Sequence, residues 1–307
     1  MGSPRIDASP RAARPESAQR AARRLLRERV AALRPLTRRH RTDERRVHQT
    51  RVALRRLREV LSSVSPMLPS GRLRDCDSRI RRALKRLGAV RDADAALGWC
   101  VAAIPQVTEA AERAVLFRLI AGLEEERARA QERLESARLR IRRIRAEVRA
   151  LAGRVGATEE TGARYFSRAL AVGRARLLAE AGNAGGAEDR GGLHAVRLRA
   201  KHLRYVAEAY PGIRAAESVA ETCAGLQEIL GEFHDLDLLS ARLGVMLPYL
   251  ADPAERAGAM ALRLRWRYRM GDLESRARGL LEAFAEREVP EAGPGVAERR
   301  CSGRSAG

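Results

Sequence analysis

Apolar residues recur every three or four positions along almost the whole chain, which is the spacing of one face of an α-helix. No stretch alternates apolar and polar residues with a period of two for long enough to indicate a β-strand. Prolines and glycines interrupt the pattern and divide it into about ten predicted helices. These span 16–40, 43–65, 72–87, 89–104, 107–152, 158–181, 189–209, 212–230, 232–247 and 253–288. The pattern therefore predicts an all-α fold.

Both ends of the sequence lack this pattern. Residues 1–15 mix proline, serine and arginine, and residues 289–307 show no apolar periodicity. We expect a disordered arm and a disordered tail on either side of one folded region, 16–288. No segment has the apolar core of a secretory signal or the length of a membrane span, so a cytoplasmic protein without membrane insertion is expected.

The folded region contains an internal repeat. Segment 47–58 matches segment 193–204 at an offset of 146 residues, and segment 87–94 matches segment 230–237 at an offset of 143 residues. Two matching pairs in the same order indicate a tandem duplication. We therefore expect two pseudo-symmetric helical bundles that pack as one unit. The predicted halves are 16–153 and 158–288.

The composition adds a strong positive charge. The chain has 60 Lys and Arg residues against 39 Asp and Glu residues, a formal net charge of +21, and only Lys85 and Lys201 are lysines. Such an excess indicates a polyanionic partner, which could be nucleic acid, an acidic membrane surface or a phosphate polymer. Aromatic residues make up only 4% of the chain, too few for a set of base-stacking platforms.

The repeated segments place basic residues in a stripe beside the apolar face of each predicted helix. At 100° per residue, one histidine and three basic residues of each segment lie on the flank next to the core positions, with few acidic residues among them. Like charges one turn apart cost about 0.2 to 0.5 kcal/mol per pair, and a bound anion would offset this cost. The residues on the two stripes are His48, Arg51, Arg55, Arg58, His194, Arg197, Lys201 and Arg204.

A third basic stripe runs along the predicted helix 107–152. Its members Arg138, Arg142, Arg145 and Arg149 recur at helical spacing beside apolar positions. The stripe occurs once in the chain, and two interpretations stay open. It is either another wall of a common basic groove or an exposed face.

The repeated histidines and aspartates allow other interpretations. His48 and His194 lie among cations and have no ligand partner one turn away, which argues against a metal site, while a structural role remains an alternative to binding an anion. The two aspartates of each repeated Asp-x-Asp pair point about 200° apart on a helix, so neither pair forms a catalytic dyad. We expect these aspartates to cap a helix or to hold an arginine of the basic stripes. They are Asp92, Asp94, Asp235 and Asp237.

Motifs of covalent chemistry are absent from the sequence. It has no phosphate-binding glycine loop, nucleophile elbow or zinc-protease signature. The four cysteines are far apart and are expected to be inert. We therefore expect no enzymatic activity, no metal and no cofactor.

Taken together, the four motifs resemble the CHAD family, which is named for its histidines and its α-helical domain. The resemblance extends over about 16–288, and it implies helical bundles around a basic groove that binds inorganic polyphosphate without catalysis. The ligand-binding positions of the family correspond to the eight stripe residues given above. The two halves differ where His202 faces Arg56 and where His234 faces Arg91, so the roles of these four residues stay open.

Three functions follow as alternatives. The leading one is binding of polyphosphate in the cytoplasm, including on polyphosphate granules, with no obligate protein partner. The second is non-specific binding of nucleic acid, for which scattered aromatic residues offer little base contact. The third is hydrolysis of a triphosphate or polyphosphate, which would need metal-binding carboxylates that the stripes lack.

Overall fold

The computed structural model describes residues 15–34, 44–132, 134–185, 189–213 and 215–287, without the side chains at 44 and 135–139. Within these ranges the chain forms nine α-helices and no strand, which confirms the all-α prediction. The predicted arm and tail lie outside the described residues, apart from residue 15. The helices are α1 (Ala18–Ala32), α2 (Glu44–Ser63), α3 (Ser70–Ala103), α4 (Ala110–Glu132), α5 (Glu135–Gly153), α6 (Gly162–Asn183), α7 (Arg190–Ala209), α8 (Ala216–Met246) and α9 (Pro253–Glu286).

Local side chains fix several helix ends. Ser17, Thr161, Asp189 and Asp252 precede α1, α6, α7 and α9, and each side chain accepts a hydrogen bond from a backbone N–H of the first turn. Prolines 105, 211 and 248 follow the ends of α3, α7 and α8 by two residues. These boundaries agree with the proline positions from which the sequence predicted them.

The predicted helix breaks at two glycines are wrong. Helix α3 runs through Gly88 and α8 runs through Gly231, so each replaces two predicted helices. A glycine inside a helix costs only about 1 kcal/mol relative to alanine. That cost is outweighed here because buried Leu87 and Leu230 pack directly beside the glycines.

The predicted helix 107–152 is wrong in the opposite sense. The chain divides there into α4 and α5, which follow α3 in the reverse direction. An ion pair between Arg127 and Asp94 joins α4 to α3, and an ion pair between Glu147 and Arg79 joins α5 to α3. The division allows α4 to pack on α9 while α5 packs on α1, and both remain on α3.

The helices share one continuous apolar core. Helix α2 packs against α3 and α7, and α7 packs against α6 and α8. The motifs of the two predicted halves therefore lie on corresponding helix pairs, α2 with α3 and α7 with α8, while the duplication itself stays a prediction. In the described ranges, no helix combines the length and the apolarity that crossing a bilayer requires.

Three buried cysteines contribute to this core. Cys76, Cys100 and Cys223 form no disulfide with one another. Burial raises the pKa of each thiol to about 12, so hardly any thiolate forms at neutral pH. Their environment agrees with the inert role expected from the sequence, and Cys301 lies outside the described residues.

The contact between α4 and α9 requires a glycine. A Cβ atom at Gly258 would stand 2.9 Å from the backbone of Ala111 and Glu112. We expect Gly258→Ala to lower the free energy of unfolding by about 1 to 3 kcal/mol because the two backbones must move apart. Urea titration measures the change.

Gly271 on the same helix provides the control. A Cβ atom there would meet no atom within 4 Å. Gly271→Ala should raise the free energy of unfolding by about 0.5 to 1 kcal/mol, because alanine restricts the unfolded chain without a clash. Equal effects of the two substitutions would contradict the close approach of α4 and α9.

Candidate anion-binding groove

A groove of about 1000 Å³ lies beside the contact of α2 with α7. Its walls also include residues of α3, α6 and α8. Ten Arg and Lys side chains line it, against five carboxylates. The basic residues are Arg51, Arg55, Arg58, Arg74, Arg81, Lys85, Arg176, Arg197, Arg199 and Lys201. The groove is therefore electropositive, and it combines side chains from both predicted halves.

Six of the eight residues predicted from the basic stripes line this groove. They are Arg51, Arg55, Arg58, His194, Arg197 and Lys201. His48 and Arg204 do not line it. His48 is exposed one turn before Arg51, and the Nε of Arg204 donates instead to Glu208 on its own helix, 2.7 Å away.

Two arginines of α2 are held by carboxylates of α3. The Nη1 of Arg51 lies 3.1 Å from the Oδ1 of Asp92, and it also donates to the carbonyl oxygen of Gly88 at 3.4 Å. The Nε of Arg58 donates to Asp77 at 2.7 Å. Asp92 thus has the arginine-holding role expected from the sequence. Its helix-capping alternative is wrong, because α3 continues through this position.

Three further cations in the groove are half-buried and lack such a partner. No carboxylate among the described residues forms an ion pair with Arg55 on α2 or with Arg197 and Lys201 on α7. The Nε of Arg197 is buried and has no hydrogen-bond partner within the described part of the chain. A buried donor without an acceptor is costly, so this cluster would be stabilised by an anion that accepts from it.

The pKa values of these three cations are lowered by burial and by the neighbouring positive charges. Burial, followed by the charges of Arg197, Arg55 and Arg51, lowers the pKa of Lys201 to about 7, against the opposite effect of Asp235. Burial also lowers the pKa of Arg55 and of Arg197. The site thus holds several cations that a desolvated environment disfavours.

The sequence of the chain matches the family model described as CHAD domain over residues 20–244. The chain belongs to the CHAD-domain family. The predicted family resemblance is therefore confirmed, and the groove described above lies within the matched residues. No functionally curated protein is similar enough in sequence to count as a relative.

Two solved structures share the fold of this CHAD domain. PptA from Streptomyces chartreusis superposes with a TM-score of 0.72 at 18% identity, covering 89% of this chain and 100% of its own. The CHAD domain from the plant Ricinus communis superposes with a TM-score of 0.69 at 21% identity, covering 91% of this chain and 98% of its own. At such low identity these similarities establish the fold alone.

The two positions where the halves differ have different environments in this CHAD domain. His202 lines the groove and its Nδ1 forms a hydrogen bond with the Oε2 of Glu59 on α2. The role of His202, which the sequence left open, is therefore a contact between α7 and α2 at the wall of the groove. Arg56 pairs with Glu208 at 2.9 Å and lies 6.0 Å from the ring centroid of Tyr205.

His234 is a groove residue that the sequence did not assign. It lines the groove opposite His194, with the ring centroids 5.3 Å apart. Burial, followed by the charge of Arg197, lowers the pKa of His234 to about 4. Its counterpart Arg91 lines a smaller cavity beside Asp235 instead. The repeat therefore gives unlike side chains to corresponding positions.

Basic residues of α3 also extend the groove beyond the repeated stripes. Arg74, Arg81 and Lys85 follow one another at i, i+7 and i+11, which is the spacing of one helix face. That spacing was visible in the sequence. Asp77 interrupts it and pairs with Arg81 at 3.0 Å, so the run does not stand out as a purely basic stripe.

The stripe on α5 lies elsewhere. Arg142, Arg145 and Arg149 do not line the groove, and α5 packs instead on α1 and α3. Arg142 and Arg149 are exposed, which matches the exposed-face interpretation, and the side chain of Arg138 lies outside the described residues.

Among the side chains that the structure describes, no group of three His, Cys, Asp or Glu residues is placed to hold one metal ion.

Proposed function

We propose that this CHAD domain binds inorganic polyphosphate in the groove, without catalysing a reaction. The observation that carries the proposal is the cluster of Arg55, Arg197 and Lys201, which lack carboxylate partners among the described residues although they face one groove from two helices. Arginine donates two parallel hydrogen bonds to a phosphate group. A phosphate chain supplies successive charges along the groove, and family membership supports this choice of ligand.

The composition of the groove favours polyphosphate over nucleic acid. Apart from histidine, Tyr205 is the one aromatic residue among the described side chains that line it. Binding of single-stranded nucleic acid draws much of its affinity from bases stacked on several aromatic rings. A groove built from guanidinium groups instead suits a polymer that has phosphates and no bases. We place this function in the cytoplasm and on polyphosphate granules.

Competition at fixed ionic strength tests the proposed ligand. Labelled polyphosphate is bound to the protein and then displaced by unlabelled polyphosphate, double-stranded DNA, RNA or ATP. We expect unlabelled polyphosphate to displace the label at the lowest phosphate concentration, and a chelator to leave binding unchanged. Displacement by RNA at an equal or lower concentration would favour the nucleic-acid alternative, and shortening of the labelled chain would show hydrolysis.

Affinity should also fall steeply with salt. Each phosphate that the groove neutralises releases condensed counterions, so the logarithm of the association constant should decrease linearly with the logarithm of salt concentration. By analogy with nucleic acids we expect a slope of about 0.7 to 0.9 per neutralised phosphate. Titrations at several salt concentrations measure it. An affinity independent of salt would contradict binding by the cationic groove.

A further inference from the structure

Both lysines of this chain line the same groove. Lys85 lies on α3 and is exposed, whereas Lys201 lies on α7 and is half-buried. All other basic residues are arginines, which keep their protons at any physiological pH. The groove therefore contains the only side-chain amines of the sequence, and an amine can act as a nucleophile once it loses its proton.

Charged groups surround Lys201 from several helices. They are His194 and Arg197 on α7, Arg51 and Arg55 on α2, and His234 and Asp235 on α8, with Asp92 on α3 lining the same groove. With its pKa lowered to about 7 by burial and by Arg197, about half of the Lys201 amines are uncharged at neutral pH. The same arginines attract anions, so a reactive amine stands inside an anion-binding site.

We propose that Lys201 is a site of acylation by acyl phosphates. The phosphate group of the reagent binds Arg55 and Arg197, which brings its carbonyl carbon to the Nζ of Lys201. The nitrogen lone pair attacks that carbon and a C–N bond forms. The bond between the acyl carbon and the phosphate oxygen then breaks, its electron pair leaves with inorganic phosphate, and the proton lost by the amine passes to the phosphate or to water.

Acylation would change the groove in a defined way. It converts Lys201, which is a cation when phosphate is bound, into a neutral amide beside Arg55 and Arg197. This regulatory consequence rests on the proposed polyphosphate function, because a polymer in the groove and an acyl phosphate would compete for the same arginines. The acylation itself requires only the charge and the burial of the groove.

Mass spectrometry of the intact chain and its peptides tests the proposal. The full chain is incubated with acetyl phosphate at pH 7.5, and acetylation at Lys201 and at Lys85 is followed with time. We expect Lys201 to be acetylated at least about tenfold faster than Lys85, because its lowered pKa leaves much of the amine uncharged and because Arg55 and Arg197 bind the phosphate of the reagent beside it. The rate should saturate with acetyl phosphate and fall when inorganic phosphate is added. Equal rates at the two lysines, or faster reaction at Lys85, would overturn the proposal.

Two comparisons separate recruitment from simple nucleophilicity. p-Nitrophenyl acetate carries no phosphate, so its preference for Lys201 over Lys85 should be smaller than that of acetyl phosphate. In the variant Arg55→Gln/Arg197→Gln, the preference for Lys201 with acetyl phosphate should fall to no more than the preference seen with p-nitrophenyl acetate. If the neutral ester shows the same preference as acetyl phosphate, phosphate recruitment is wrong.

The regulatory consequence has its own measurement. Treatment of the wild type with acetyl phosphate should weaken polyphosphate binding at least about tenfold, as expected for one charge-assisted contact. The same treatment of Lys201→Arg should not change the affinity of that variant. If the untreated protein does not bind polyphosphate, the proposed function fails, while the ratio of acetylation at Lys201 and Lys85 still decides the acylation proposal. If binding is intact and acetylated protein binds equally well, the regulatory role is wrong.

Discussion

Replacing Arg55, Arg197 and Lys201 together with glutamine should weaken binding of long polyphosphate at least about 100-fold, since each charge-assisted hydrogen bond contributes about 1.5 to 3 kcal/mol. The three side chains are the half-buried cations of the groove that lack carboxylate partners within the described residues. Their loss removes the cations whose charge a ligand must neutralise. Titration with labelled polyphosphate at constant salt measures the change in affinity.

A matched variant separates the groove from the net charge. Arg142, Arg143 and Arg149 on α5 are exposed and lie outside the groove. Replacing these three with glutamine removes the same number of positive charges. We expect the affinity to fall less than about tenfold, because exposed charges outside the groove make no contact with a ligand there and are screened by salt. If both variants lose affinity equally, the groove model fails and binding depends on overall charge.

The groove variant should remain folded. The three side chains lie beside the core stripe, and their mutual repulsion together with their burial opposes folding of the ligand-free protein. Neutral glutamine at these positions should leave the unfolding midpoint unchanged or raise it. Circular dichroism and urea unfolding check this. A loss of affinity that accompanies unfolding would not count as support for the site.

The parts of this architecture that could be predicted are those set by local pattern. Helical spacing predicted an apolar face on segments 47–58 and 193–204, and the structure buries Leu54, Leu57 and Val196 on these faces. The same spacing placed Arg51, Arg55 and their counterparts of α7 next to that core. Residues beside the core face of a helix lie at the edge of its contact with a neighbouring helix. Because α2 and α7 pack against each other, the basic residues at the edges of this contact line one groove.

The features that sequence reasoning missed depend on contacts between distant segments. His202 lines the groove because Glu59, 143 positions earlier in the chain, reaches it from α2. Gly88 and Gly231 continue helices instead of ending them because both flanks of each glycine are packed. Arg204 is the exception: its ion pair is with Glu208, a partner one turn away that helical spacing alone could have shown.

The lowered pKa of Lys201 also depends on contacts between distant segments of the folded chain, and it leads to a prediction about pH. The residue next to it in the stripe, Arg197, would lower its pKa in an isolated helix only slightly, since water screens the charge. In the folded protein, burial is the largest cause, and Arg55 and Arg51 add to it from another helix. The free protein therefore carries a Lys201 amine that loses its proton near pH 7.

Polyphosphate binding should weaken as pH rises above about 7, by up to about tenfold per pH unit. Below that pH, Lys201 is protonated both in the free protein and in the complex, so its titration does not affect affinity. Above that pH, the Lys201 amine of the free protein is neutral. The negative charge of bound phosphate raises the pKa of this amine, so binding takes up a proton, which becomes more costly as the pH rises. His234 does not produce this effect, because its pKa is lowered to about 4 in the free protein.

The stability of the ligand-free protein should change with pH in the opposite direction. A cation whose pKa is lowered by folding destabilises the native state fully below about pH 7, and this cost disappears as pH rises towards the ordinary pKa of lysine, about 10.4. The free energy of unfolding should therefore increase over this range. Lys201→Met should be more stable than wild type at pH 6 and should lack this part of the pH dependence.

The variant Lys201→Arg tests whether the pH dependence of affinity and that of stability both come from the Lys201 amine. Arginine retains the positive charge throughout, so the variant should show neither the loss of affinity above pH 7 nor the gain of stability attributed to Lys201. Polyphosphate titrations and urea unfolding between pH 6 and pH 10 give both profiles for wild type and variant. Subtracting the variant profile removes contributions from other groups and from the polymer. If the wild-type and variant profiles coincide in both measurements, Lys201 does not exchange its proton with the ligand, and the groove binds phosphate through arginines of fixed charge.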